Sequence, residues 1–206
     1  MDIIKNPSEI EKKSMEIIRP YVENIFKNED EIKVASRIIH AAGDVDYAKI
    51  IRIHNDAILS AKKAITNGKN VYTDVEMVRT GINKKRLSVY GGKVFCKIAD
   101  ENVADNAKKF GITRSIAAMR AFGEELNESV VAIGNAPTAL FEVLRLIEEE
   151  NISPAVIIGI PVGFVGAAES KAALMKNGKI PFITVEGTKG GSPIAVAAFN
   201  AILYQI

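Results

Sequence analysis

Residues 156–171 read VIIGIPVGFVGAAESK. The β-branched run Val156-Ile157-Ile158 gives way to Gly159, Pro161, Gly163 and Gly166, and then to a helix-forming run, so the segment reads as strand, loop and helix. Its apolar run is continuous rather than alternating, the pattern of a strand covered on both faces, and such strands belong to parallel sheets. In open parallel sheets ligands sit beyond the carboxyl ends of the strands. Three glycines in eight residues beside Pro161 suit a loop where a ligand approaches bare backbone, although each glycine alone also serves a sharp turn.

Outward from this unit the same alternation repeats. Strands are expected at 71–75, 93–98, 129–134, 155–160 and 181–186. Between and after them lie ENVADNAKKFG, TRSIAAMRAFGEEL, APTALFEVLRLIEEE, AAESKAALMKNG and SPIAVAAFNAILY, each with apolar positions at helical spacing. Such alternation predicts an α/β fold: a three-layer, doubly wound domain around a parallel five-stranded sheet. No linker or low-complexity stretch divides the chain, so residues 1–206 are expected to form a single domain.

The first third reads as a helical N-terminal extension packed on that domain. Pro7 and Ser8 open a helix carrying Ile10, Ile17, Ile18, Tyr21 and Ile25, with Ser8 as N-cap, Glu11 completing a capping box, and Ser14 as the polar interruption of the stripe. A second helix from about Asp30 to Gly43 presents Arg37 and His40 three residues apart, hence on a shared face. On local sequence alone His40 reads as a hydrogen-bonded histidine near a helix end in preference to a functional group, although it is the titratable side chain of interest. Asp44 and Asp46 read as caps of the next helix, and 58–66 is a further helix ending at Asn67-Gly68.

Composition removes several classes of function. The net charge is +2 and the lysines are scattered, which argues against nucleic acid as a partner. Cys96 is the single cysteine, so no intrachain disulfide or cysteine-based zinc site is expected, and a reduced cytoplasm suits the chain. With two histidines, a multi-histidine metal centre is not expected, and His54 reads as a helix-surface residue or cap neighbour. No apolar run reaches the roughly 18 residues of a membrane span, and MDIIKNPSEIEKK lacks the apolar core of a signal peptide.

The strand ends carry the chemistry. They supply Thr73-Asp74, the Asn135 loop at 134–138, the Gly163 loop at 161–166, and 186–192 with Lys189, Gly190 and Gly191. Glycine-rich turns before helices aim N–H groups at one spot, and Lys189 adds charge, so the last loop suits an anion. The P-loop pattern is absent. A dinucleotide reading stays open, because Glu186 lies past the glycines at about the distance of a ribose-binding acid, although the glycines lack the G-x-G-x-x-G order. No serine occupies a nucleophile elbow, and Cys96 lies within a strand.

Together these stretches become recognisable. RIIHAAGDVDYA from Arg37, TDVEMVRTGINK from Thr73, FGITRSIAAM from Phe110, GNAPTALFEVL from Gly134, GIPVGFVGAAESKAAL from Gly159 and GTKGGSPIAVAAFNAILY from Gly187 closely resemble the precorrin-8X methylmutase family, also called cobalt-precorrin-8 methylmutase. The resemblance runs from about Ile10 to the C-terminus and implies a flavodoxin-like domain, a homodimer, and an isomerase of cobalamin biosynthesis that uses no cofactor. Such an enzyme moves a methyl group from ring carbon eleven to ring carbon twelve of a corrinoid substrate, giving hydrogenobyrinate, or cobyrinate where cobalt is already part of the substrate. It implies His40 as proton donor or acceptor and Ser14 and Arg37 as substrate-binding residues. The loop residues Thr73, Asn135, Arg114, Gly163, Lys189, Gly190 and Gly191 would then meet the rim carboxylates and the apolar ring. A corrinoid-binding protein without turnover is the competing class.

Overall fold

The computed structural model describes residues 3–206. Six strands, β1 (Ile51–Ile53), β2 (Val71–Thr73), β3 (Val94–Cys96), β4 (Val130–Ile133), β5 (Val156–Gly159) and β6 (Phe182–Val185), form one sheet in the order β1-β6-β5-β4-β2-β3. The five strands read from the sequence are parallel to their neighbours, and numbered among themselves they run 2-1-3-4-5, the flavodoxin-like order. The sixth is β1, which joins the edge antiparallel to β6 with Ile51 opposite Val185. At three residues it is too short to show a period of its own.

The helices are α1 (Pro7–Val22), α2 (Glu29–Ala42), α3 (Ala57–Thr66), α4 (Glu76–Gly81), α5 (Lys84–Ser88), α6 (Glu101–Phe110), α7 (Arg114–Phe122), α8 (Pro137–Glu149), α9 (Ala167–Asn177) and α10 (Ser192–Leu203). Alternate residues of one strand enter opposite layers: Val130 and Ala132 pack with α2, α3 and α10, while Val131 and Ile133 pack with α8 and with Met119 and Phe122 of α7. This two-sided burial is the reason the strands read as unbroken apolar runs. The short helices α4 and α5 come after β2, in a stretch whose sequence carries no clear helical period.

The helical extension does pack on the sheet domain, and α2 carries it. Val34, Ala35, Ile38 and Ile39 are buried in the core shared with α10, and Gly43 closes the helix in the left-handed conformation. The outer helix α1 differs from its expected form in two respects. Its N-cap is Asn6, whose side chain accepts from the amides of Ser8 and Glu9, because Pro7 occupies the first helical position and shifts the cap back from Ser8. Its buried contacts are Ile18 and Val22, whereas Ile10, Ile17 and Tyr21 are about half exposed, as is Ile25 beyond its end. A helix resting mainly on α2 covers one narrow stripe, so the rest of its apolar face stays open. No helix among the described residues is long and apolar enough to cross a membrane.

Candidate functional site

The three glycine-containing strand-end loops are locked to one another at the carboxyl end of the sheet. Buried Asp74, just after β2, accepts from the amides of Gly134 at 3.0 Å, Asn135 at 2.9 Å and Ala136 at 2.7 Å. It thereby ties the ends of β2 and β4, the two strands between which the order reverses. Burial raises the pKa of this carboxyl, and the three amide donors act against that rise. Gly134 in turn abuts the start of α10, where a Cβ would lie 2.7 Å from the Cα of Ser192.

The loops after β5 and β6 close on each other. Gly163 donates its N–H to the Thr188 carbonyl at 3.1 Å, and Gly191 donates to the Ile160 carbonyl at 2.9 Å. Gly190 sits at φ +153°, and a Cβ there would meet the Pro161 carbonyl oxygen at 2.6 Å. These glycines therefore let two backbones touch. The expectation that both Gly190 and Gly191 aim amides at a ligand is corrected for Gly191, whose N–H is bonded inside the protein.

Helix α2 brings its last turn to this place. Lys189 reaches Asp44 at 2.5 Å, and its ammonium lies 5.3 Å from the Tyr47 ring. Asp44 is also the cap expected of it, accepting from the Asp46 amide; Asp46 itself pairs with Lys49. The pairing with Lys189 holds the Asp44 carboxyl below its usual range. Beside it opens a cavity of about 260 Å3 lined by Ser14, Ile17, Ile18, Ile39, His40 and Asp44. Two of the expected residues, from different helices, thus share one apolar-walled cavity. The Ser14 hydroxyl donates to the Ile10 carbonyl at 2.9 Å, a bond a ligand acceptor can replace.

Other expected residues stand elsewhere. Arg37 pairs with Glu11 and lines a separate cleft of about 410 Å3 with Arg19, Lys33 and Tyr204. The shared face inferred for Arg37 and His40 is divided by α1, since Met15 and Arg19 border one opening, and Ser14 and Ile17 the other. Thr73 is fully buried, and its hydroxyl donates to the Phe95 carbonyl at 3.0 Å. Asn135 is exposed beside its loop. Arg114 is exposed at the first turn of α7, which meets the start of α8 through Thr113 and Thr138. Glu186, the acid a dinucleotide reading needs at the ribose, is paired with Arg52 at 2.6 Å. Burial pushes the Cys96 thiol up to about 11, away from nucleophilic use. His54 accepts from the Asp56 amide ahead of α3, as a cap neighbour does.

Sequence reasoning missed the part that two residues play. Asp74 is one; Lys171 is the other, fully buried on α9 and donating to the Lys189 carbonyl at 2.5 Å. A signal for Lys171 existed: Ala167, Ser170, Lys171 and Leu174 fall at the spacing of a buried helix stripe, and a lysine belongs there only with a task.

A family model described as precorrin-8X methylmutase matches residues 9–205. The chain is 45% identical to a cobalt-precorrin-8 methylmutase of Leptospira interrogans, over 94% of this chain and 91% of that one. It is 44% identical to one of Priestia megaterium, over 95% and 87%. A solved precorrin-8X methylmutase of Thermus thermophilus superposes with a TM-score of 0.85 at 33% identity, covering 95% of this chain and 96% of that one.

Proposed function

The chain belongs to the precorrin-8X methylmutase family, and on that premise we propose that it is an isomerase moving a methyl group between ring carbons eleven and twelve of precorrin-8X or its cobalt form. The observation that carries the reading furthest is the cavity where the Ser14 hydroxyl and the His40 imidazole meet walls of Ile17, Ile18 and Ile39. A shift within one molecule needs no external acceptor; it needs a held ring and one proton. His40 gives or takes that proton, Ser14 holds a polar edge, and the isoleucines take the ring face. Cobalt, where present, enters with the substrate, and no cofactor takes part. Arg37 can bind a rim carboxylate once Glu11 is displaced. That exchange costs little, because exposed ion pairs are worth about 0–1 kcal/mol.

The test is an absorbance spectrum after incubation with precorrin-8X, since migration changes the conjugation of the ring. The expected result is conversion to the hydrogenobyrinate spectrum. Tight binding with an unchanged spectrum would instead make this a corrinoid-sequestering protein.

The working form is a homodimer. A substituted macrocycle calls for a site toward the upper part of the usual range of about 300–1,000 Å3, so a cavity of about 260 Å3 is part of one. Half-exposed Ile17 lines it, Ile10 and Tyr21 are exposed on the same helix, and Phe164 and Val165 stand out from the loop after β5. A second copy covering such faces would enlarge and close the site. Light scattering at low micromolar concentration is expected to give twice the chain mass, and a monomer mass would remove the claim. A lone, half-buried Cys96 and the corrinoid substrate suit the cytoplasm.

A further inference from the structure

Lys171 is 0% exposed, and its ammonium has one hydrogen-bond partner among the described residues, the Lys189 carbonyl at 2.5 Å. No carboxylate among the described residues pairs with it, whereas the Lys189 ammonium is answered by Asp44. The buried cation behind the 187–192 loop is thus uncompensated, and the visible one in front is not.

The bond also fixes a direction. In a trans peptide the C=O and the following N–H point opposite ways, and the structure has no cis peptide among the described residues. A Lys189 carbonyl held inward by Lys171 therefore turns the Gly190 N–H to the opposite side of the peptide, away from the buried ammonium. Gly191, one residue on, has its N–H bonded to Ile160 and faces the other way. A cation on the carbonyl further polarises the shared peptide and strengthens its N–H as a donor.

We propose that Lys171 is a positioning residue for substrate binding: it holds the 189–190 peptide so that the Gly190 N–H, backed by a buried positive charge, receives a rim carboxylate of the corrinoid. The assignment rests on the isomerase reading above. Burial without a counter-ion lowers the lysine to about 8, a cost that a purely structural strut would avoid with an apolar side chain.

The test compares wild type, Lys171→Met and Lys189→Ala in thermal melts, hydrogenobyrinate titrations and steady-state turnover. Lys171→Met is expected to melt within a few degrees of wild type, raise KM about tenfold to a hundredfold, as loss of a charged hydrogen bond does, and leave kcat nearly unchanged. Lys189→Ala is expected to raise KM only a few-fold, and less at high salt. A measurement on wild type alone guards against misfolding. In nitrogen-15 spectra product binding should shift and protect the Gly190 amide and leave Gly191 unmoved. Normal wild-type turnover with an unchanged KM in Lys171→Met, or a response at Gly191 alone, overturns the assignment of Lys171. Wild type that neither binds nor converts the corrinoid overturns the isomerase reading, and this proposal with it.

Discussion

His40→Ala is expected to lose about a hundredfold to ten-thousandfold in turnover, the usual worth of positioned acid or base help, while still binding product. The imidazole is exposed in the last turn of α2 and lines the same cavity as Ser14. Its side chain makes no hydrogen bond among the described residues, so its removal should leave stability within about 0.5 kcal/mol. Loss of rate without loss of binding separates proton transfer from ring recognition, and single-turnover isomerisation beside product titration reads both. His54→Ala is the control. Its ring packs on Phe182 and accepts from the Asp56 amide, outside the cavity, and its turnover is expected to match wild type.

Asp74→Ala is expected to produce the largest loss of stability of any single change at the strand ends. The carboxylate is 0% exposed and satisfies three amides. Deleting it strands those donors where water has little access, and each unsatisfied buried group costs about 1–3 kcal/mol. A total of about 3 kcal/mol or more corresponds to a fall of roughly 6–12 °C in Tm for a chain of this size. Urea denaturation and a thermal melt measure it. Asp74→Asn keeps one acceptor oxygen and should lose less. Equal stability of Asp74→Ala and wild type would mean that the 134–136 turn holds its shape without the carboxylate.

The layered architecture was legible because doubly covered strands and amphipathic helices write themselves into local sequence. Val156-Ile157-Ile158 before Gly159 is such a signal, and the edge strand β3, half buried along its length, is still legible from its place in the alternation of strands and helices. What escaped was whatever depends on distant partners. Three residues of β1 become a strand because Phe182–Val185 offers an edge. The apolar positions of α1 predicted a helix but not which of them would be buried, since that depends on its crossing over α2. At the site, His40 and Ser14 came from a resemblance, and the fold gives them a common cavity. Arg37 and His40 sit roughly 60° apart around α2, near enough to suggest one face, yet α1 lies between their openings. Lys171 and Asp74 were the least visible. Each acts on a backbone far along the chain, and only the packed loops reveal the bond.

Where the ring binds is the central question for function, and a crystal structure of the protein with bound hydrogenobyrinate measures it. The expected complex has the macrocycle against Ile17 and Ile39, with His40 within hydrogen-bonding reach of the ring and a rim carboxylate on the Gly190 amide. A macrocycle seated in the cleft of Arg19, Lys33 and Tyr204, with His40 facing solvent, would contradict it.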